Sequence, residues 1–187
     1  MVGRVSVITT RARVHGCHLS SLNAVRALHY LQECGSEITA ETCPPYMFMD
    51  ESSMDKYGTY AKVNPPLKTE KHRNELIKAV KDGTICAVAS DHAPFLPEEK
   101  QTEDFLNAPS GMPSVEFLGP QMLDKCIEGV FDYTVIPKTM SEAPAKLLGI
   151  YPKKGSLEVG SDADFFIFNP KDQWTVDITK LYTKSRL

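Results

Sequence analysis

The sequence predicts an α/β protein built on a parallel sheet, either open or closed into a barrel. Strand-like apolar runs alternate with helical patterns along the chain. One run, Ile85-Cys86-Ala87-Val88-Ala89, stops in Ser90-Asp91-His92-Ala93-Pro94-Phe95. Another, Ala12-Arg13-Val14, stops in His15-Gly16-Cys17-His18-Leu19-Ser20. Polar, chemically able residues at the C-terminal ends of buried strands mark the place where an α/β barrel carries its chemistry.

The elements follow in order. Residues 13–17 read as a short strand. Ser21 opens a helical pattern with Val25, Leu28 and Leu31 on one face, and Gly35 lies just past its end. Residues 38–43 read as the second strand, ended by Pro44-Pro45. An irregular segment runs to Pro66. Thr69 then caps a helix with apolar Leu76, Ile77 and Val80, closed by Gly83. Residues 85–90 form the third strand. A long polar segment, 97–113, follows beside the candidate site, a place where long loops are often functional. Helices are expected over 115–128 and 141–148. After Tyr151 the pattern changes. Gly155 and Gly160 flank 156–159, and 164–168 alternates weakly, which predicts β-hairpin structure outside the sheet. The expected division is therefore 1–150 and 151–187.

Composition narrows the function. A net charge of −3 and an isoelectric point near 6.0 give no electrostatic reason to expect nucleic acid or an anionic membrane as partner. No apolar stretch approaches the roughly 20 residues that span a bilayer, and no signal peptide follows Met1. The cysteines Cys17, Cys34, Cys43, Cys86 and Cys126 contain no C-x-x-C pair and read as reduced, mostly buried residues of a cytoplasmic protein.

An imidazole on one strand end and a carboxylate on another suit metal-assisted hydrolysis. His18 is a candidate metal ligand, or a satisfied polar group at a strand end. His15 is a second candidate, but residues 15 and 18 face opposite sides of an extended strand. Asp91 suits metal binding and proton transfer; a helix N-cap is the structural alternative. His92 orients the site from behind the ligands or is a surface residue. Asn64, stiffened by two prolines, offers an amide to a ligand or forms a turn. Ser110, Gly111 and Met112 offer backbone groups in a tight bend or a plain loop. Tyr46, Met47, Phe48, Met49 and Met54 line a pocket or fill a core. His29 and His72 read as solvent-facing, and the acidic run 98–104 as a solvated loop.

The ordered set of these segments resembles the cyclic-amide hydrolases of the amidohydrolase superfamily, the dihydroorotase, allantoinase and hydantoinase (dihydropyrimidinase) group. The matching stretches are His15-Gly16-Cys17-His18-Leu19-Ser20-Ser21, Glu41-Thr42-Cys43-Pro44, Val63-Asn64-Pro65-Pro66-Leu67-Lys68, Ser90-Asp91-His92-Ala93-Pro94 and Ser110-Gly111-Met112-Pro113. A tail from Lys154-Gly155-Ser156-Leu157 through Gly160-Ser161-Asp162-Ala163-Asp164 completes it. The resemblance implies a partial TIM-type (β/α)8 barrel, strands six to eight with their helices, followed by part of a small β-domain. It implies a pair of divalent metals, often zinc. His18 matches the sixth-strand ligand and Asp91 the eighth-strand ligand, each serving a different ion. Asp91 would also carry a proton from the attacking water to the leaving amide nitrogen. Asn64 and Ser110 to Met112 match substrate-contacting positions.

The departures from the family pattern shape the expectation. No His-x-His pair occurs in the chain, and the lysine and fifth-strand histidine of the family would precede it. A catalytic zinc takes about three protein ligands, so the chain alone is expected to be inactive. It is then part of a longer enzyme, or it folds against a partner. Asn64 and Glu98-Glu99-Lys100 resemble dihydroorotase. Phe95, where dihydroorotases carry a histidine for the substrate carboxylate, and Cys43-Pro44-Pro45-Tyr46 resemble hydantoinase or allantoinase. The expected substrate is a small cyclic amide such as dihydroorotate, and the full-length parent is expected to be a homo-oligomer. A non-catalytic assembly subunit of the same fold is the alternative. A nuclease or phosphoesterase is disfavoured by the lack of a basic patch.

Overall fold

A computed structural model describes residues 12–186. It is an α/β structure whose strands are all parallel, in the order β1 (Val14–Gly16), β2 (Ile38–Thr42), β3 (Ala87–Val88). Val14 pairs with Ile38 and Gly16 with Ala40; Glu41 pairs with Ala87 and Thr42 with Val88. Helices make both crossovers, so every strand runs toward the same rim.

Helix α1 (Leu22–Glu33) forms where its caps and apolar spacing agree. Ser21 is extended and its hydroxyl accepts the Ala24 N–H at 3.2 Å. Leu22, Val25, Leu28 and Leu31 make the buried stripe. Gly35 takes φ +74°, the left-handed turn that ends the helix. His72 is not solvent-facing as expected: its Nδ1 accepts the Leu22 N–H at 3.0 Å and satisfies a free donor of the first turn. Leu28 is 3% exposed inside the main core. Leu28→Ala is expected to cost about 3 kcal/mol in urea denaturation, because a packed core refills such a cavity only in part.

Pro44 and Pro45 end β2, and they also start a helix, α2 (Pro44–Phe48). Proline at the first helical position lacks only an N–H that has no partner there. α3 (Ser52–Tyr57) and a 3-10 turn, Gly58–Ala61, follow, so the segment expected to be irregular is largely helical. α4 (Glu70–Lys81) buries Leu76, Ala79 and Val80, with Ile77 half-buried. Thr69 stands at its N-cap, yet its side chain makes no capping bond. Arg73 instead ties the helix start to Asp50 at 2.7 Å and to Glu70 at 2.9 Å.

β3 is shorter than the expected 85–90, although Cys86 N–H to Ala40 O at 3.1 Å and Ala89 N–H to Thr42 O at 3.0 Å extend the contact beyond it. One face of the sheet packs on the helices through Ala40, Thr42 and Val88, all buried. The polar segment after Asp91 contains a short turn of helix, α5 (Pro97–Lys100). α6 (Val115–Ile127) matches its expectation. The last helical region starts earlier than expected, as α7 (Val135–Pro137), a π turn over Lys138–Glu142, and α8 (Ala143–Leu147).

The hairpin expected beyond residue 151 is not formed: among the described residues no strand follows β3. Phe165, Phe166 and Ile167 are 66%, 64% and 89% exposed. The chain end nevertheless returns to the start of α6, and Leu181 and Ser185 are buried. There the Glu116 carboxylate accepts the N–H groups of Tyr182 and Thr183. Cys17 and Cys34 are exposed, contrary to expectation, while Cys43 and Cys126 are buried; none forms a disulfide. No helix of the described residues is long and apolar enough to cross a membrane.

Candidate functional site

The candidate residues gather where the parallel strands end. His18 follows β1, Cys43 and Tyr46 follow β2, and Asp91 follows β3. Ligands of α/β sheets sit outside these carboxyl ends. Backbone bonds stitch the three ends together. Leu19 N–H donates to Glu41 O at 2.9 Å, the Thr42 hydroxyl to Leu19 O at 2.7 Å, and Ala89 N–H to Thr42 O at 3.0 Å.

Among the described residues, His18 and Asp91 are the non-glycine residues with positive φ, +39° and +49°. A side chain in that region costs on the order of 1–2 kcal/mol. Such strain persists where surrounding structure enforces it, and it collects at functional sites. Both residues that the sequence singles out as candidate metal ligands carry it.

The Tyr46 hydroxyl donates to Asp91 Oδ2 at 3.2 Å. Burial pushes the Tyr46 phenol well above its usual range, and the Asp91 charge adds to this. Burial likewise pushes the Cys43 thiol up, followed by the charges of Asp91, Glu41 and Cys17. These groups share one crowded corner, and Tyr46 stays a neutral donor that orients the Asp91 carboxylate. Its sequence context marked it as a pocket-lining or core residue and gave it no hydrogen-bond role, since nothing local reveals a partner 45 positions away. Asp91 is not a helix N-cap: no helix starts until Pro97.

His92 performs that capping service at a distance. Its Nδ1 accepts the N–H groups of Ser114 at 3.0 Å and Val115 at 3.1 Å, at the start of α6. The Ser114 hydroxyl donates to Ser90 O at 2.6 Å, and Ala93 N–H to Met112 O at 3.1 Å. Residues 110–112 are thereby held beside the end of β3. Gly111 N–H donates to Lys62 O at 2.9 Å, which brings in the turn that carries the exposed Asn64. A Cβ at Gly111 would lie 2.4 Å from Ala93 Cβ and 3.2 Å from Phe95 Cε2, so the Phe95 ring rests against this glycine. Asp91, His92, Asn64 and Ser110 to Met112 thus share one rim.

His15 does not join them. Its Nδ1 lies 2.8 Å from Thr39 Oγ1 and its Nε2 3.3 Å from Glu41 Oε2, so both ring nitrogens are engaged within the sheet.

Lys100, read as part of a solvated acidic run, is completely buried. Burial, helped by the Lys62 cation, pushes its ammonium from the ordinary 10.5 down to about 8. Between those values the unfolded chain keeps the proton that the folded chain has released, so folding strengthens as pH rises through the window. Relative to a Lys100→Met variant, the natural protein is expected to gain up to roughly 3 kcal/mol between those pH limits in urea denaturation.

A metal centre is not complete in these residues. Among the described residues, no group of three or more His, Cys, Asp or Glu side chains is placed to hold an ion. His18 and Asp91 are donors of the right chemistry, but a catalytic zinc takes about three protein ligands.

Comparison with known proteins places these features. Residues 6–185 match the model of the Amidohydrolase family. A dihydroorotase of Geobacter metallireducens is 38% identical over 177 residues, covering 95% of this chain and 41% of that protein. A dihydroorotase of Ruminiclostridium cellulolyticum is 35% identical over 178 residues, with the same coverage of 95% and 41%. Among solved structures, dihydropyrimidinase from Brevibacillus agri superposes with a TM-score of 0.87 at 29% identity, covering 95% of this chain and 40% of that one. An L-hydantoinase (dihydropyrimidinase) from Arthrobacter aurescens gives 0.82 at 31% identity, with coverage of 87% and 37%. The chain spans about two fifths of the length of the curated relatives it matches.

Proposed function

This chain belongs to the amidohydrolase family, and from that premise we propose that it forms one rim of a metal-dependent hydrolase that opens a cyclic amide, with dihydroorotate as substrate. The observation that carries the reading is the paired strain at His18 and Asp91, set just past the ends of β1 and β3, the two strands that flank β2 in the parallel sheet. On this reading residues 1–150 are barrel strands six to eight with their helices, and residues 151–187 are part of a small β-domain. The exposed Phe165, Phe166 and Ile167 fit that assignment, as an apolar patch meant for cover.

The family is generally dependent on divalent metal, zinc being the expected ion. The donor set of the described residues does not make up such a centre, so the 187 residues alone are inactive on this account. What the chain does supply is proton handling and substrate placement. The Asp91 carboxylate takes a proton from the attacking water and delivers it to the leaving ring nitrogen. Tyr46 holds that carboxylate in orientation through its 3.2 Å hydrogen bond. Asn64 and the backbone of Ser110, Gly111 and Met112 contact the ring amide. His92 fixes the strand end by capping α6. The partners are a small cyclic amide and further copies of the same protein, in the cytoplasm.

Phe95 favours a second reading, hydantoinase or dihydropyrimidinase. Its ring lies against Gly111, which gives the substrate-contacting bend an apolar neighbour. Allantoinase and a non-catalytic assembly subunit are further members of the same family space. Ring opening of dihydroorotate, hydantoin and dihydrouracil by the protein purified from its own cells tests these readings. Dihydroorotate is the expected substrate; turnover of hydantoin or dihydrouracil alone favours the second reading, and no turnover favours the subunit. Phe95→His is expected to raise the kcat/KM ratio of dihydroorotate over hydantoin about tenfold, the effect of one added polar contact.

A further inference from the structure

A lysine amine buried without partners would cost several kcal/mol. Lys100 is fully buried, and its partners explain why it is tolerated. Its Nζ donates to Gly111 O at 2.5 Å and to Lys62 O at 3.1 Å. The Thr59 hydroxyl donates to Lys100 O at 2.5 Å. In return, Lys62 Nζ donates to the carbonyls of Phe105, Leu106 and Ala108 at 2.7, 2.7 and 2.6 Å. Each lysine therefore fastens the segment that carries the other. The two segments joined are those assigned above to the substrate: the turn of Asn64 and the bend of Ser110 to Met112. That bend is in turn bonded to Ala93, two residues past Asp91.

We propose that Lys100 is a positioning residue, a buried lock that holds the Asn64 turn and the Ser110 to Met112 bend in one register beside Asp91. Its effect on substrate rests on the function proposed above; the lock itself does not. Methionine matches the length of the lysine stem but offers no donor. It would leave Gly111 O without its buried partner, and an unpaired buried carbonyl loosens the segment that bears it.

The test compares the natural protein with Lys100→Met by amide hydrogen exchange and by steady-state kinetics on dihydroorotate and hydantoin. Exchange at Gly111 and Met112 is expected to speed at least about tenfold, as local opening becomes easier. KM for the substrate turned over is expected to rise about tenfold, with kcat changed less than about threefold, the mark of lost placement and not lost chemistry. Leu28→Ala serves as control, because it weakens the core without touching the lock; it is expected to leave both readouts in place. Unchanged exchange at Gly111 in Lys100→Met would overturn the proposal, as would a KM rise that Leu28→Ala reproduces. Should Lys100→Met fail to fold, Thr59→Val removes one outer bond of the lock. Faster exchange at Gly111 in that variant supports the proposal, and an unchanged rate rejects it. If the natural protein opens neither ring, the functional reading falls, while the exchange result still decides the lock.

Discussion

Asp91→Asn is expected to lower ring-opening turnover by about 10³-fold, the scale of a lost general acid–base group, with the fold intact. Asparagine has the same shape as aspartate. It also tolerates the positive φ of +49° that this position demands. Its amide oxygen still accepts the Tyr46 hydroxyl, so the corner keeps its packing. What disappears is a carboxylate able to take a proton from water and return it to nitrogen. The variant therefore separates chemistry from structure better than alanine, which would give up the bond to Tyr46 as well. Measured together, kcat should collapse while the urea midpoint stays within error. A near-natural kcat would remove Asp91 from the proton path.

Gly111→Ala is expected to destabilise the protein by about 3 kcal/mol and to raise KM, since overpacking and a disfavoured backbone act together. The added methyl would meet Ala93 Cβ at 2.4 Å and Ala93 O at 2.6 Å, with φ held at +150°. Ala93 cannot retreat easily, because its own N–H is bonded to Met112 O at 3.1 Å. Lys62 and Lys100 hold Gly111 from the other side. Gly119→Ala provides the contrast. Its Cβ would meet nothing within 4 Å, and it lies inside α6. There the exchange is expected to stabilise by up to about 1 kcal/mol, the helix preference of alanine over glycine. Denaturation curves for the two variants should move in opposite directions.

The parts of the fold that depend on near neighbours were legible. Ser21 and Gly35 bracket α1 because a cap acts within a turn, and the apolar spacing between them needs only the helix period. The strands were located by the same local logic. Pro44 and Pro45 misled because proline ends a strand and starts a helix with equal ease. The hairpin beyond residue 151 was read from glycine spacing and weak alternation, which set no partner strand, and none is formed.

In the site, His18 and Asp91 stood out because they follow apolar runs. Their backbone strain did not, since φ depends on loops that join distant strands. His92, His15 and His72 illustrate the same limit. Each engages groups 22 to 50 positions away, so no pattern around it could show whether its ring is free. Lys100 was hidden most completely. Among Glu98, Glu99 and Glu103 it looked like solvated charge, and only the carbonyls of Lys62 and Gly111 account for its burial.

The most direct measurement of the central claim is ring opening of dihydroorotate and hydantoin by the protein purified from its own cells, run beside the isolated 187-residue chain. The account predicts turnover in the natural protein that a chelator abolishes and added zinc restores. It predicts none from the isolated chain, whose His18 and Asp91 are too few to hold a catalytic ion. Turnover by the isolated chain, or a fully metal-loaded natural protein that opens neither ring, would contradict it.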